Sequence, residues 1–482
     1  MASEISRDLA KNAQTIENVF HTDKNADLIL RRFDISGTWA LVVYIEGMSD
    51  AQKINDFVLR QAMDGEQNKE GDIAGLFLRC IAISGAKTKT NMDEVIDDIL
   101  SGQSALFVDG SSSALVMETR GYEKRAVSPP NSEDVILGSQ EGFTESIRTN
   151  ITLIRKMVRS ADLVSEMLLV GDKNKCACAV VYIEGTALSG VADKLKERLK
   201  NINVDIIPGA GFMNQLIEDS RFSIVPQSVM TQRPDRCASF LLEGQVLLLT
   251  DGAPFALAVP ATLFHMLNTP DDTFMRWQYG TFTRCVRFAG FLLALFLPAV
   301  YLAMAMYHQE LLPHELLMTI AASRADVPFS IITEVILMEF AFLIVDQAGT
   351  RIPRLLGSAL GIFGALILGQ AAVEAKLVSP ILIIVVAITA LGTYTIPDYS
   401  LSRAVQMLRF VYILGASLGG FFGIAVLVFL TLAPISLTQS FGIPFFAPIS
   451  PPMGHNPDII IRRPIKRQSA NGSIFTKRRG KA

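Results

Sequence analysis

The chain has 482 residues, half of them hydrophobic and 19% charged, with a formal charge of −3 and a positive mean hydropathy. That balance argues against a nucleic-acid binder working through a basic surface and suits a polar domain joined to membrane helices. Five cysteines (Cys80, Cys176, Cys178, Cys237, Cys285) form no C-x-x-C pair and the five histidines are scattered, so buried reduced thiols are expected rather than a disulfide framework or a metal site.

The first residues, Met1 to Asp8, lack the apolar run a signal peptide needs, so the aqueous part is expected not to be exported. Residues 1–35 read as an extension. From there to about residue 272 the chain repeats itself. Val42-Val43-Tyr44-Ile45-Glu46-Gly47 recurs as Val180-Val181-Tyr182-Ile183-Glu184-Gly185. Gly102-Gln103 with Leu106, Asp109-Gly110 and Ala114-Leu115 returns as Gly244-Gln245, Leu248, Asp251-Gly252 and Ala256-Leu257. Two motifs in one order predict a duplication. Each copy (36–125 and 171–272) reads as strand, helix, then a hairpin turning at Asp-Gly, where the backbone needs positive φ. Residues 126–170 read as a Pro-rich linker and a connecting charged helix around 144–159.

The expected fold is therefore a duplicated α/β aqueous domain followed by an α-helical polytopic membrane domain. Glu46 and Glu184 stand at strand ends, but each precedes Gly, which favours a turn or capping role over chemistry. No phosphate loop, nucleophile elbow or His–carboxylate cluster is present, so no catalytic residue, cofactor site or metal site is expected.

Polarity changes near Trp277, and residues 273–436 hold apolar stretches long enough to cross a bilayer in four to five spans. Arg276, Arg284 and Arg287 before the first span predict a cytoplasmic side there. Pro298 frees a carbonyl within that span. The run 311–322 is too short to cross and reads as interfacial or re-entrant. The segment 329–348 carries Glu334, Glu339 and Asp346, the last two on one helix face. Either they line a path for cations, or they pair with Arg324, Arg351 or Arg354, or the helix lies flat on the membrane.

In 355–373, Gly357, Gly361, Ala365 and Gly369 recur every fourth residue and form a ridge for close helix packing. Beside it run Ile362, Leu366, Gln370 and Val373, a face that would line a pore if several copies surrounded one axis. Leu366 would be the hydrophobic gate, with Gln370 and Glu374 at one mouth. Spans at 377–396 and 411–432 follow, the connection between them marked cytoplasmic by Arg403 and Arg409. The segment 437–482 reads as a Pro-rich and basic tail. Its charge favours the cytoplasm, although an odd number of spans would place it outside.

The chain resembles the A subunits of GerA-type nutrient germinant receptors of bacterial spores. The resemblance lies in Glu141-Gly142-Phe143-Thr144-Glu145, Thr149-Asn150, Leu153-Ile154-Arg155, Leu216-Ile217-Glu218-Asp219, Arg233-Pro234-Asp235-Arg236 and Asp251-Gly252-Ala253-Pro254-Phe255. It continues in Thr269-Pro270-Asp271-Asp272, His308-Gln309-Glu310-Leu311-Leu312-Pro313 and Gly369-Gln370-Ala371-Ala372-Val373-Glu374-Ala375. The chain departs from the family pattern at Ser330, at Asp346-Gln347 and at Ala365. The resemblance implies an oligomeric, ion-conducting subunit in the spore inner membrane, in contact with lipid, with no nucleic acid. It further implies a transporter-like B subunit that binds the nutrient and a lipoprotein C subunit. A SpoVAF-type accessory of spore ion or dipicolinate transport is the alternative, and a membrane-anchored enzyme is a third reading.

Overall fold

In β2 the residues Ala40, Leu41, Val42, Val43 and Ile45 are all buried, so this strand needs cover on both faces. The computed structural model supplies it. It describes residues 4–35, 37–60, 83, 85–121, 130, 133, 135, 137–349, 369–452, 461, 462 and 464. The first module runs α1 (Leu9–Val19), β1 (Leu28–Ile35), β2 (Thr38–Ile45), α2 (Ala51–Ile54), β3 (Ala86–Lys89), α3 (Met92–Leu100), β4 (Ser104–Val108) and β5 (Ala114–Met117). The second runs α4 (Ile147–Met157), β6 (Leu163–Val170), β7 (Cys176–Ile183), α5 (Val191–Lys200), α6 (Ala210–Ile217), β8 (Val229–Thr231), α7 (Pro234–Leu242), β9 (Val246–Thr250) and β10 (Ala256–Val259).

Both modules form antiparallel five-stranded sheets of equivalent order, β1-β2-β4-β5-β3 and β6-β7-β9-β10-β8. The Asp-Gly hairpins are present, with Gly110 at φ 84° and Gly252 at φ 76°. The duplication also begins earlier than the matching letters reveal. Asn12 accepts from Ser6 N at 2.9 Å and donates to Ser6 O at 2.6 Å. Asn150 does the same with Thr144, at 2.8 and 2.7 Å. Leu9 N donates to Asp109, and Ile147 N donates to Asp251. Thus α1 and α4 are the same element of the two copies. Residues 1–35, expected as an extension, supply α1 and the edge strand β1, and 126–170, expected as a linker and connecting helix, supply that helix as α4 together with the strand β6.

A buried cluster fastens the modules together. Arg155 forms a bidentate pair with Asp27 and donates to Asn25 and to the Leu163 carbonyl, while Asn25 reaches across to Leu163 and Ser165. Glu46 pairs with Arg148 and Glu184 with Lys24, so both strand-end glutamates bridge the module boundary. Each precedes a glycine at positive φ, Gly47 at 82° and Gly185 at 74°, so the turn expected there is present alongside the ion pairs.

After β10 come two short helices, α8 (Leu263–Leu267) and α9 (Asp271–Phe274), and then the helical unit. It comprises α10 (Trp277–Met306), α11 (His314–Arg324), α12 (Ile331–Gly349), α13 (Pro380–Tyr394) and α14 (Tyr399–Leu437). Two of these are long and apolar enough to cross a membrane, α10 with hydropathy 2.2 and α14 with 2.3. One hydrophobic core runs from the α4/α7 face of the second sheet through Leu263 and Met266 into Ala294, Leu302 and Leu408 of the helices.

α14 is not one span. Gly419 and Gly420 leave helical geometry, Gly420 at φ 58° and ψ −135°, and the chain reverses. Tyr412 and Thr431 hydroxyls then meet at 2.7 Å, whereas a continuous helix would hold them about 28 Å apart. The predicted span 411–432 is therefore the distal half of a helical hairpin. Its arms, 399–418 and 421–437, are about 30 and 25 Å long, each close to the thickness of a bilayer core.

The first arm runs parallel to α10, with Arg409 at Ala294, Tyr412 stacked on Phe296 at 4.9 Å and Tyr307 donating to the Ser417 carbonyl. α12 runs the opposite way, with Glu339 at Arg409 and Asp346 at Arg403. The second arm brings the chain back to the aqueous domain. The short strands β11 (Gln439–Ser440) and β12 (Ile443–Pro444) pair there, and Arg462 bonds the carbonyls of Thr273 and Met275. Residues 438–452 and Arg462 thus lie on the same side as the aqueous domain.

Candidate functional site

The chain passes from the aqueous domain into the helices through a charged joint at α8, α9 and the foot of α10. Asp272 is 2% exposed. Arg287 donates to both its oxygens at 2.9 and 3.1 Å, and Arg284 adds a bond at 3.2 Å. Arg287 also reaches the Leu267 carbonyl at 2.8 Å and Thr269 at 3.1 Å. Charge on a helix foot is expected to be solvated. Here it is fixed between elements instead.

One layer further out, Arg236 donates to the carbonyls of His265 and Asn268. Arg233, fully buried, binds Asp235 bidentately through Nε and Nη2 and holds the Glu133 and Ser139 carbonyls. The motifs at 233–236 and 269–272 are thus two halves of one connection. Sequence reasoning took Arg284 and Arg287 only as topological markers. The spacing of twelve and fifteen residues from Asp272 carries no helical signature that would have paired them.

Burial by itself would raise the Asp272 pKa, but the bonds and charge of Arg287, with Arg284 beside it, hold the carboxyl below its ordinary value. A depressed carboxylate contributes stability that is complete above its unfolded pKa of about 4 and is lost as pH falls through the lower folded value. We expect thermal stability of the detergent-solubilised protein to fall on acidification below about pH 4. Asp272→Asn should lower stability at pH 7 by about 3–5 kcal/mol, because two guanidiniums lose their counter-ion in a buried site. It should also flatten the acid fall. An acid limb unchanged in the variant argues against this assignment.

The three acids of α12 each face a base. Glu334 pairs with Arg324 at 3.2 Å and accepts from Ser379 N. Asp346 pairs with Arg403. Glu339, fully buried, pairs at 2.8 Å with Arg409, itself 1% exposed at the side chain. Within the single chain each acid is thus paired, the arrangement that the pairing alternative expected. Of the expected partners Arg324 is found, whereas Arg351 and Arg354 lie outside the described residues. Arg403 and Arg409, expected in a cytoplasmic connection, stand within the first hairpin arm.

Arg409 has a second task. Pro298 has no N–H to give the Ala294 carbonyl one turn earlier, and Arg409 Nε donates to that oxygen at 2.7 Å. Its Nη2 donates to Thr393 Oγ1 at 2.5 Å. A single side chain thus knits α10, α12 and α13 to the hairpin.

Of the expected pore face, Ile362 and Leu366 lie outside the described residues, as do Gly357, Gly361 and Ala365 of the ridge. Residues 369–374 are helical. There Gln370 and Glu374 are exposed, and Val373 is half-buried against the helical core. Gly369 faces Ile383 of α13, whose methyl would lie 3.6 Å from an added Cβ.

These features define a bundle of apolar helices joined through a buried charged cluster to a duplicated aqueous domain. The chain matches the family described as Bacillus/Clostridium GerA spore germination protein over residues 14–473. It is 34% identical to spore germination protein KA of Bacillus subtilis, across 93% of this chain and 82% of that one. It is 34% identical to spore germination protein A1 of the same organism, across 92% of each. An uncharacterised membrane protein of that organism, YfkQ, is 35% identical across 95% of this chain and 90% of its own. The N-terminal domain of the A subunit of the Bacillus megaterium spore germinant receptor GerK3 aligns with a TM-score of 0.45 at 30% identity, covering 55% of this chain and 98% of that one. The chain belongs to the GerA family of spore germination proteins.

Proposed function

We propose that this protein is the A subunit of a nutrient germinant receptor, forming with further copies of itself a ligand-gated ion channel in the spore inner membrane. The observation that carries the reading is family membership along nearly the whole chain, from residue 14 to 473. A transporter-like B subunit would bind the nutrient and a lipoprotein C subunit would complete the complex. The aqueous domain would then lie on the cytoplasmic side. Nutrient on the partner favours the open arrangement by binding it more tightly than the closed one.

In this reading Ile362, Leu366, Gln370 and Val373 face the axis, and Gly357, Gly361, Ala365 and Gly369 pack neighbouring helices. Gln370 is exposed on the single chain, as a residue meeting water or a neighbouring copy must be. The charged joint supports coupling, because it ties the foot of α10 to the second module without a flexible linker.

The test is Leu366→Ala. Removing the side chain that closes a hydrophobic constriction lets water and ions through. Spores carrying the variant should lose monovalent ions prematurely and germinate without nutrient. Normal ion retention together with normal nutrient dependence would remove Leu366 from the gate.

A further inference from the structure

We propose that residues 438–449 form a taut tie that couples the returning hairpin arm to the second module, so that neither moves without the other. The second arm ends at Leu437, and four residues later Phe441 is 5% exposed within the module's outer core, against α5 and α6. Four residues reach at most about 14 Å, which leaves little slack. Phe445, 2% exposed, enters the other core, the one shared by α4, α7 and the helices. The two phenylalanines therefore occupy cores on opposite faces of the second sheet and hold its end between them.

The polar contacts are specific. Ser440 Oγ accepts from Ala261 N at 3.0 Å and donates to the Gln227 carbonyl at 2.6 Å. Phe441 N donates to Asp219 Oδ2 at 2.5 Å, and Leu263 N donates to the Phe445 carbonyl at 2.9 Å. Arg198 pairs with Asp219 and lies over the Phe441 ring at 4.2 Å. Phe441 has φ 49° and Gly442 φ 90°, the positive pair a two-residue hairpin requires. A bulky residue is rarely held there, and its surroundings must fix it in place. Asp219 belongs to the motif at 216–219, so that motif acquires a task as a receptor for the tie.

The functional half of the test rests on the germination reading, so it carries its own control. Phe441→Ala should raise amide hydrogen exchange in β11, β12 and at Ala261 and Leu263, with membrane abundance unchanged. The rate of spore response to a panel of L-amino acids and sugars should fall at least tenfold, and Phe441→Tyr should restore it. If Phe441→Ala does not accumulate, Ser440→Ala, which removes only the two hydroxyl bonds, is read in the same assays. Conversely, a reducible disulfide from Ala261→Cys with Ser440→Cys keeps the tie docked and should leave the response intact. Raised exchange with a normal response overturns the proposal, as does a locked tie that abolishes it. If deleting the gene leaves the response to the whole panel unchanged, the germination reading has failed, while the exchange result still decides whether the tie exists.

Discussion

Arg409→Met removes the protein from the membrane fraction or lowers its thermal stability by about 3–5 kcal/mol, the cost of stranding a buried charge. Glu339 is fully buried, and its second oxygen already has no hydrogen-bond partner among the described residues. Without Arg409 the carboxylate has no counter-charge and must take up a proton or drag in water. The Ala294 carbonyl loses its donor as well, and Thr393 loses a bond.

These losses are separable. Glu339→Met in the same chain removes the stranded acid and should recover most of the loss, because an ion pair replaced by apolar groups of similar volume is close to neutral. Adding Pro298→Ala returns an N–H to the Ala294 carbonyl and should recover about 1 kcal/mol more. The measurement is thermal unfolding in detergent across the single, double and triple variants. If Glu339→Met gives no rescue, the pair is not what makes Arg409 necessary.

Much of the aqueous fold was legible where identity and backbone chemistry coincide. The repeated strand at 42–47 and 180–185 and the two Asp-Gly turns were readable because glycine at positive φ admits few substitutes. The helix at 144–159 was legible too, but its equivalence to α1 was not. Ser6 with Asn12 and Thr144 with Asn150 make one clasp with different letters, and Asp8 and Ser146 each cap their helix. In the helical unit, hydropathy located the apolar segments but was blind to direction. No charged residue falls in 411–432 to interrupt its apolar character, so the reversal rests on two adjacent glycines. Ion pairs such as Glu339 with Arg409, seventy residues apart, obey no local spacing and emerge only when helices pack. The docking of Phe441 was not legible because it depends on a module more than 170 residues upstream.

That reversal yields the second strong expectation. Gly420→Val should abolish the hairpin. Gly420 has φ 58° and ψ −135°, a conformation reserved for glycine, and forcing a β-branched residue into it costs about 1–3 kcal/mol in backbone strain alone. Sterics add to this, since a Cβ there would lie 2.7 Å from the His308 ring and 2.9 Å from the Tyr307 Cβ. Those two residues end α10 and brace the turn, Tyr307 by its bond to the Ser417 carbonyl and His308 by packing on Phe421 with ring centroids 4.9 Å apart. A displaced turn therefore frees an otherwise bonded carbonyl at the far end of the bundle. The geometry can be read directly with Tyr412→Cys and Thr431→Cys, whose parent hydroxyls are 2.7 Å apart. On the Gly420 background the pair should be bridged by a short bifunctional thiol reagent, because the length of the tyrosine side chain leaves the two Cβ atoms further apart than a disulfide spans. With Gly420→Val it should not, or the chain should fail to accumulate. Because an uninterrupted helix separates these positions by about 28 Å, efficient cross-linking in a stably expressed Gly420→Val chain would mean that the turn does not depend on glycine.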